Sequence, residues 1–173
     1  MNEIILGGGC FWCIEGGMSG LRGVKRVTPG YSGGDVANPT YEQVCGKRTG
    51  HAEVVKVVFD PSLIDLTKIL RVFFALHDPT QVNRQGNDVG PQYRTCIFYS
   101  DESQKATINQ VISQIQPTYG SPIATEVEPA KAFWPAEDYH HDYFARNPNQ
   151  PYCSLVVAPK ISKAVKLFGD LYE

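Results

Sequence analysis

The amino-acid sequence predicts an α+β domain built on a ferredoxin-like split βαβ core. The sheet is expected to be mixed and covered by helices on one side, with additional elements at the C-terminus. Three observations lead there. Apolar runs with strand character recur at residues 4–6, 24–28, 51–59 and 95–99. Helical spacing follows the first and third of these, so the order is strand, helix, strand, strand, helix, strand. No repeat, low-complexity tract or linker divides the chain, so residues 1–173 are expected to form a single domain with a sizeable core.

The first strand, Ile4-Ile5-Leu6, runs into Gly7-Gly8-Gly9-Cys10-Phe11-Trp12-Cys13-Ile14-Glu15. Three glycines allow a sharp turn and leave amides accessible, which places Cys10 where a strand ends and a helix begins. The positive end of a helix favours a thiolate there. Phe11 and Trp12 offer apolar walls beside the sulfur, and Cys13 supplies a second thiol. A Cys-x-x-Cys pair is also half of a zinc knuckle. No second pair follows, however, and Cys45, Cys96 and Cys153 are dispersed, so no metal is expected. A buried structural thiol suits Cys96 within Thr95-Cys96-Ile97-Phe98, but not a cysteine preceded by three glycines.

The strand over 24–28 enters Pro29-Gly30-Tyr31-Ser32-Gly33-Gly34, where the glycines mark a bend or a close backbone approach. Asn38-Pro39-Thr40-Tyr41 then turns into a short helical piece, and Tyr41 is either a packing aromatic or a hydroxyl facing a site. Residues 51–59 alternate most clearly, with Glu53 on the face of Val55, Val57 and Phe59 and Lys56 on the other. Two readings of Glu53 stand: a strand-end carboxylate that escapes to water, or a proton donor whose pKa burial has raised.

Asp65 can cap a helix to about residue 75, with Leu66, Ile69, Leu70, Phe73 and Phe74 at helical spacing. From His77 to Arg94 runs a long polar loop, rich in amides and containing Asp88 and Tyr93. Such loops inside a domain tend to be functional, and this composition suits hydrogen bonding around a small polar group. After the strand at 95–99, Asp101 and Gln104 have capping-box spacing and open a helix to about 116. A strand is expected at 125–128. A helix follows over 136–146 with Tyr139 and Tyr143 on one face, then a strand at 154–158 and a helix over 161–171. Adjacent histidines on a helix diverge by about 100°, so His140-His141 reads as structural or solvated rather than as a metal pair.

Sixteen Lys and Arg stand against eighteen Asp and Glu, a formal net charge of -2 with no long basic run, which argues against a nucleic-acid partner. No apolar stretch reaches membrane-span length, and the residues before Cys10 lack a secretory signal's basic and apolar regions. Five cysteines, an odd count, argue against a disulfide scaffold, so a reducing, cytoplasmic setting is expected, where a close thiol pair is more often catalytic.

The ordered motifs Gly9-Cys10-Phe11-Trp12, Gly30-Tyr31-Ser32-Gly33-Gly34, Pro39-Thr40-Tyr41, Thr49-Gly50-His51-Ala52-Glu53, His77-Asp78-Pro79-Thr80-Gln81 and Arg84-Gln85-Gly86-Asn87-Asp88, with Gln92-Tyr93-Arg94, carry a family resemblance. Over residues 4–148 the sequence resembles the A-type peptide methionine sulfoxide reductases. The resemblance implies thiol-dependent reduction of methionine S-sulfoxide, free and in proteins, hence repair of oxidised proteins. It implies Cys10 as nucleophile, Phe11 and Trp12 around the substrate methyl group, and Tyr41, Glu53 and Tyr93 at the sulfoxide oxygen, with Asp88 in the same polar cluster. It implies no bound cofactor, and thioredoxin or another dithiol as reductant.

Many family members have glycine where this chain has Cys13, and many end in a glycine-rich tail with recycling cysteines; here Pro151-Tyr152-Cys153-Ser154-Leu155-Val156-Val157 reads as ordered. Cys13 is therefore the expected recycling cysteine, being three residues from Cys10 across a helix start, with Cys153 as the alternative. A thioredoxin-type disulfide oxidoreductase using Cys10 and Cys13 is the competing enzyme reading, and a zinc-binding interaction module the non-enzymatic one. The first leaves Glu53, Asp88 and Tyr93 unexplained.

Overall fold

In the computed structural model, which describes residues 1–172, strand β1 (Asn2–Gly7) is followed by helix α1 (Phe11–Ser19), strand β2 (Val24–Ser32), a short helix α2 (Tyr41–Cys45) and strand β3 (Ala52–Phe59). Helix α3 (Leu66–Ala75) leads into the polar loop, whose middle folds into a small hairpin of β4 (Arg84–Gln85) and β5 (Asp88–Val89). Then come β6 (Cys96–Tyr99), α4 (Glu102–Ile115), β7 (Glu126–Pro129) and β8 (Phe133–Pro135). A short helix α5 (Tyr143–Arg146), a π-helical turn (Cys153–Val157) and helix α6 (Ala158–Phe168) complete the chain. Glu173 lies outside the described residues.

The architecture is α+β. Six strands form one mixed sheet in the order β7-β6-β1-β3-β2-β8, parallel only between β6 and β7. Strand alternation sorts the side chains between the two faces. Ile4, Leu6, Val55, Val57, Phe59 and Ile97 meet Ile14, Ile69, Leu70, Phe73 and Ile108 from the helices in the main core. Ile5, Val54, Cys96 and Phe98 face the other way, in a smaller cluster backed by Phe133. Each such aliphatic or aromatic side chain taken from water contributes roughly 1.5–3 kcal/mol, so the larger cluster holds the helices to the sheet. Asp65 accepts from the Lys68 N–H at 2.9 Å and caps α3 as its position suggests. Among the described residues no helix is long and apolar enough to cross a membrane.

Three expectations are corrected and one is resolved. Of the bend or close approach expected over residues 29–34, Gly30 shows the close approach, and β2 continues through it to Ser32, paired by β8. A Cβ at Gly30 would come within 2.5 Å of the Trp134 carbonyl oxygen, so this glycine answers a close approach, and the bend falls at Gly33, where φ is +94°. Asp101 caps α4, but the Gln104 side chain does not return to it, and instead accepts from Ser100 N–H and donates to the Glu3 carbonyl.

The helix expected over 136–146 is broken. A 3-10 turn over Asp138–His140 is separated from α5 by Asp142, held at φ 54° and ψ 32°. The strand expected at 154–158 is helical. Cys153 and Val157, four residues apart, are buried while Ser154 and Leu155 are exposed, a helical rather than a strand pattern. Pro159 has no N–H to give the carbonyl four residues earlier, which accounts for the widened π turn at this point.

Candidate active site

The glycine turn delivers Cys10 to the N-terminus of α1. A Cβ at Gly7 would lie 2.8 Å from Cys96 Sγ, one at Gly8 would lie 2.7 Å from the His77 ring, and Gly9 has φ +83°. Backbone packed this tightly, ending in a left-handed residue, admits only glycine. The Gly9 N–H donates to the Tyr93 carbonyl at 3.1 Å, which ties the polar loop to the cysteine turn. Cys10 is the extended N-cap residue of α1, yet its side chain makes no capping bond. Glu53 supplies that contact from β3, its Oε1 accepting from Phe11 N–H at 3.2 Å.

Glu53 is 1% exposed, so the strand-end escape to water does not occur. Burial pushes its pKa up to about 8, against the Phe11 N–H and with added repulsion from Asp88. At neutral pH it is therefore largely a neutral acid. Cys10 departs from expectation. Its pKa stands well above the usual thiol value through burial, then through the charges of Glu53 and Cys13; the Trp12 N–H pulls the other way. The helix end does not make a resting thiolate, because Glu53 takes up the first free N–H and a single amide does not offset burial. Burial and then the charge of Glu53 also raise the Tyr41 and Tyr93 phenols, which stay protonated as donors. Tyr41 is the first residue of α2, whose Thr40–Gln43 capping box is complete, and its N–H is held by Glu137 Oε2 at 3.0 Å.

Opposite α1 stands a wall of residues 137–153. The Trp12 indole lies flat on Tyr143, with centroids 3.9 Å apart and planes 8° from parallel, and meets Tyr152 edge-on. Its Nε1–H donates to His140 Nδ1 at 3.2 Å. Because indole can only donate, the His140 proton sits on Nε2, which is buried without a partner. The His140 ring packs between Phe11, Tyr41 and Tyr139, and burial lowers its pKa. Tyr152 O–H donates to Asp88 Oδ2 at 2.5 Å, joining the π turn to the polar loop. Tyr31 O–H donates to Glu137 Oε1 at 2.9 Å. Sequence reasoning missed Glu137, His140, Tyr143 and Tyr152 as a group. The one usable signal was their aromatic and acidic density, and the broken helix removes the periodicity that would have aligned it.

Cys13 is fully buried on α1, and burial raises its pKa to about 11, with Lys160 opposing and the charges of Asp88, Glu53 and Cys153 adding. The charge of Cys13 is thus felt at Cys10, and that of Cys153, which the π turn buries against α1, is felt at Cys13. Cys45 is half-buried on α2 beside Tyr41. Among the described residues no cluster of three or more His, Cys, Asp or Glu side chains is arranged to hold a metal. A groove of about 800 Å³, lined by His77, Asp78, Tyr119, Lys160 and Lys163, includes none of Cys10, Glu53, Tyr41 or Tyr93.

The arrangement joins a buried thiol, a neutral carboxylic acid, two phenol donors and an apolar aromatic wall. Residues 2–170 match the family described as "Peptide methionine sulfoxide reductase". The chain is 55% identical over 166 residues to the peptide methionine sulfoxide reductase MsrA of Thermus thermophilus, covering 96% of this chain and 94% of that one. It is 51% identical over 170 residues to the MsrA of Saccharolobus solfataricus, covering 98% and 96%. Among solved structures it resembles reduced Mxr1 of Saccharomyces cerevisiae, at 34% identity and TM-score 0.81 over 86% of each chain. Mxr1 has also been solved in complex with Trx2.

Proposed function

The chain belongs to the peptide methionine sulfoxide reductase family and is an oxidoreductase that reduces methionine sulfoxide; from that premise we propose that Cys10 is the nucleophile, Glu53 the proton donor, and the S epimer the substrate, free or in proteins. The observation that carries this reading is the pairing of a buried neutral carboxyl at Glu53, bonded to the Phe11 N–H, with the buried thiol of Cys10 at the same helix end. A sulfoxide is a polarised S–O dipole with apolar substituents. Phe11 and Trp12 receive the methyl group, while Tyr41, Tyr93 and Glu53 donate to the oxygen and Asp88 orders the polar side of the cluster.

The resting protonation states suggest how the thiol is activated. Glu53 gives its proton to the sulfoxide oxygen as Cys10 attacks sulfur, and the Cys10 proton replaces it on Glu53. The net step carries the thiol proton to oxygen and leaves the carboxyl as it began. The oxygen passes to Cys10 as a sulfenic acid, a two-electron oxidation of the thiol, and methionine leaves reduced.

Cys13 then attacks the sulfenic sulfur, a disulfide to Cys10 forms and water leaves; Cys153 is the alternative recycling thiol. The charge of Cys13 acting on Cys10 supports the first choice, and that of Cys153 acting on Cys13 keeps the second in play. A thioredoxin-like dithiol closes the cycle, in keeping with the complex of Mxr1 with Trx2. The activity accounts for a role in repair of oxidised proteins, and free thiols suit a reducing compartment such as the cytoplasm. We read residues 1–173 as one catalytic domain and its four central strands, ordered β6-β1-β3-β2 and antiparallel, as a ferredoxin-like split βαβ core.

The test uses the protein without reductant. Wild type releases about one methionine per chain, and peptide mapping by mass spectrometry finds Cys10 joined to Cys13. Cys10→Ser releases none. Release by that variant contradicts the mechanism, and a Cys10–Cys153 link moves the recycling role.

A further inference from the structure

Glu15 has no part in that chemistry, yet it is a carboxylate only 2% exposed, one helical turn after Trp12 on α1. None of the ion pairs among the described residues includes it. Its partner is backbone: Glu15 Oε2 accepts from the Asp142 N–H at 2.9 Å, and the Tyr143 N–H also faces it. These two amides open α5, and Asp142, its N-cap residue, makes no side-chain cap of its own. Asp142 is also left-handed, at φ 54°, a conformation that few residues other than glycine, asparagine and aspartate adopt. Directly after it comes Tyr143, whose ring lies flat against Trp12.

We propose that Glu15 is a positioning residue: from α1 it pins the Asp142–Tyr143 turn, so that Tyr143 backs the Trp12 indole and fixes the width of the methyl pocket. The carboxylate thus ties both members of the stack together, Trp12 through their shared helix and Tyr143 through its backbone. Selectivity for S-methyl over larger S-alkyl groups follows from that fixed width. Removing the acceptor leaves the Asp142 N–H without its partner and frees the turn, while an amide in its place still accepts. Burial drives the Glu15 pKa up to about 7, with the amides opposing, so the group is held for its acceptor oxygens rather than as a permanent charge. The proposal rests on the reading of Phe11 and Trp12 as the methyl wall.

The experiment compares Glu15→Leu and Glu15→Gln in the full chain, with methyl and ethyl p-tolyl sulfoxide as substrates and thermal unfolding as the control for folding. Glu15→Leu is expected to raise KM for the methyl substrate about tenfold, the loss of one part-buried hydrogen bond, with kcat within about twofold. The methyl-over-ethyl preference falls by a similar factor, and Glu15→Gln restores both to within about twofold of wild type. A folded Glu15→Leu with wild-type KM and preference overturns the proposal. Should that variant not fold, Glu15→Asp decides, because it keeps the carboxylate but withdraws it by one methylene. It must lose at least about threefold of the preference, and an unchanged preference overturns the proposal. Trp12→Leu separates the two levels. If the preference survives there, the methyl-wall reading itself falls; if it is lost there and kept in Glu15→Leu, only the role of Glu15 falls.

Discussion

The wall of the site formed by the glycine turn, α1 and β3 is regular secondary structure, whereas the wall opposite, residues 137–153, is a 3-10 turn, a left-handed residue, a four-residue helix and a π turn. The first carries the groups to which we assign the reaction: Cys10 at a helix end and Glu53 at 1% exposure on an apolar strand face. The second carries rings and hydrogen bonds that shape the space, with His140, Tyr143 and Tyr152 all directed at Trp12. On the proposed reading the two reacting groups sit on rigid elements, and the rings that back Trp12 sit on irregular ones. Substitutions of Cys10 and Glu53 should therefore lower the rate of the chemical step, and substitutions in the second wall should alter stability and substrate affinity.

Glu53→Gln breaks the comparison most sharply. The amide still accepts the Phe11 N–H but has no proton to deliver, so the single-turnover reductive step should slow by about 10²–10⁴-fold with KM little changed. An unchanged rate would remove the chemical distinction between the walls. The same variant carries an opposite prediction for stability. Because folding raises the Glu53 pKa to about 8, the wild type loses stability as pH rises from its unfolded value near 4.5 through about 8. Glu53→Gln should lack that decline and gain on wild type across the window in urea unfolding.

In the second wall, Tyr152→Phe removes the O–H that donates to Asp88 and should cost roughly 1.5–3 kcal/mol in urea unfolding, with the reductive rate changed far less than in Glu53→Gln. Tyr143→Leu keeps an apolar side chain but loses the flat stack on Trp12, worth roughly 0.5–1.5 kcal/mol, and should raise KM by about 2–10-fold at near-constant kcat. A kcat loss as large as that in Glu53→Gln would place chemistry in the second wall too.

The same division governs what was legible in the sequence. Alternation along β3 put Glu53 with Val55, Val57 and Phe59, and that face is buried. Asp65 and the apolar spacing after it marked α3, and the glycines before Cys10 marked a turn that no Cβ fits. These signals are local, and local physics decides them. The protonation state of Cys10 was not legible, because burial and the arrival of Glu53 from a distant strand outweigh the helix end. Nor was the opposite wall, where Asp142 breaks the helical period between Tyr139 and Tyr143 and has its N–H bonded to Glu15, 127 residues away in sequence. A valine pair made 154–158 look like a strand, while Pro159 and one-sided burial make it a widened helix.

The central claim is that the reductive step starts from a neutral thiol on Cys10 and a neutral acid on Glu53. The most direct test is the pH profile of methionine release in a single turnover, with wild type and Glu53→Gln side by side. The wild-type rate should be level below pH 8 and fall above it, as Glu53 loses its proton near its raised pKa of about 8, while Glu53→Gln is slow and shows no fall at that pH. A wild-type rate that climbs through pH 8, tracking thiolate formation on Cys10, would contradict the account.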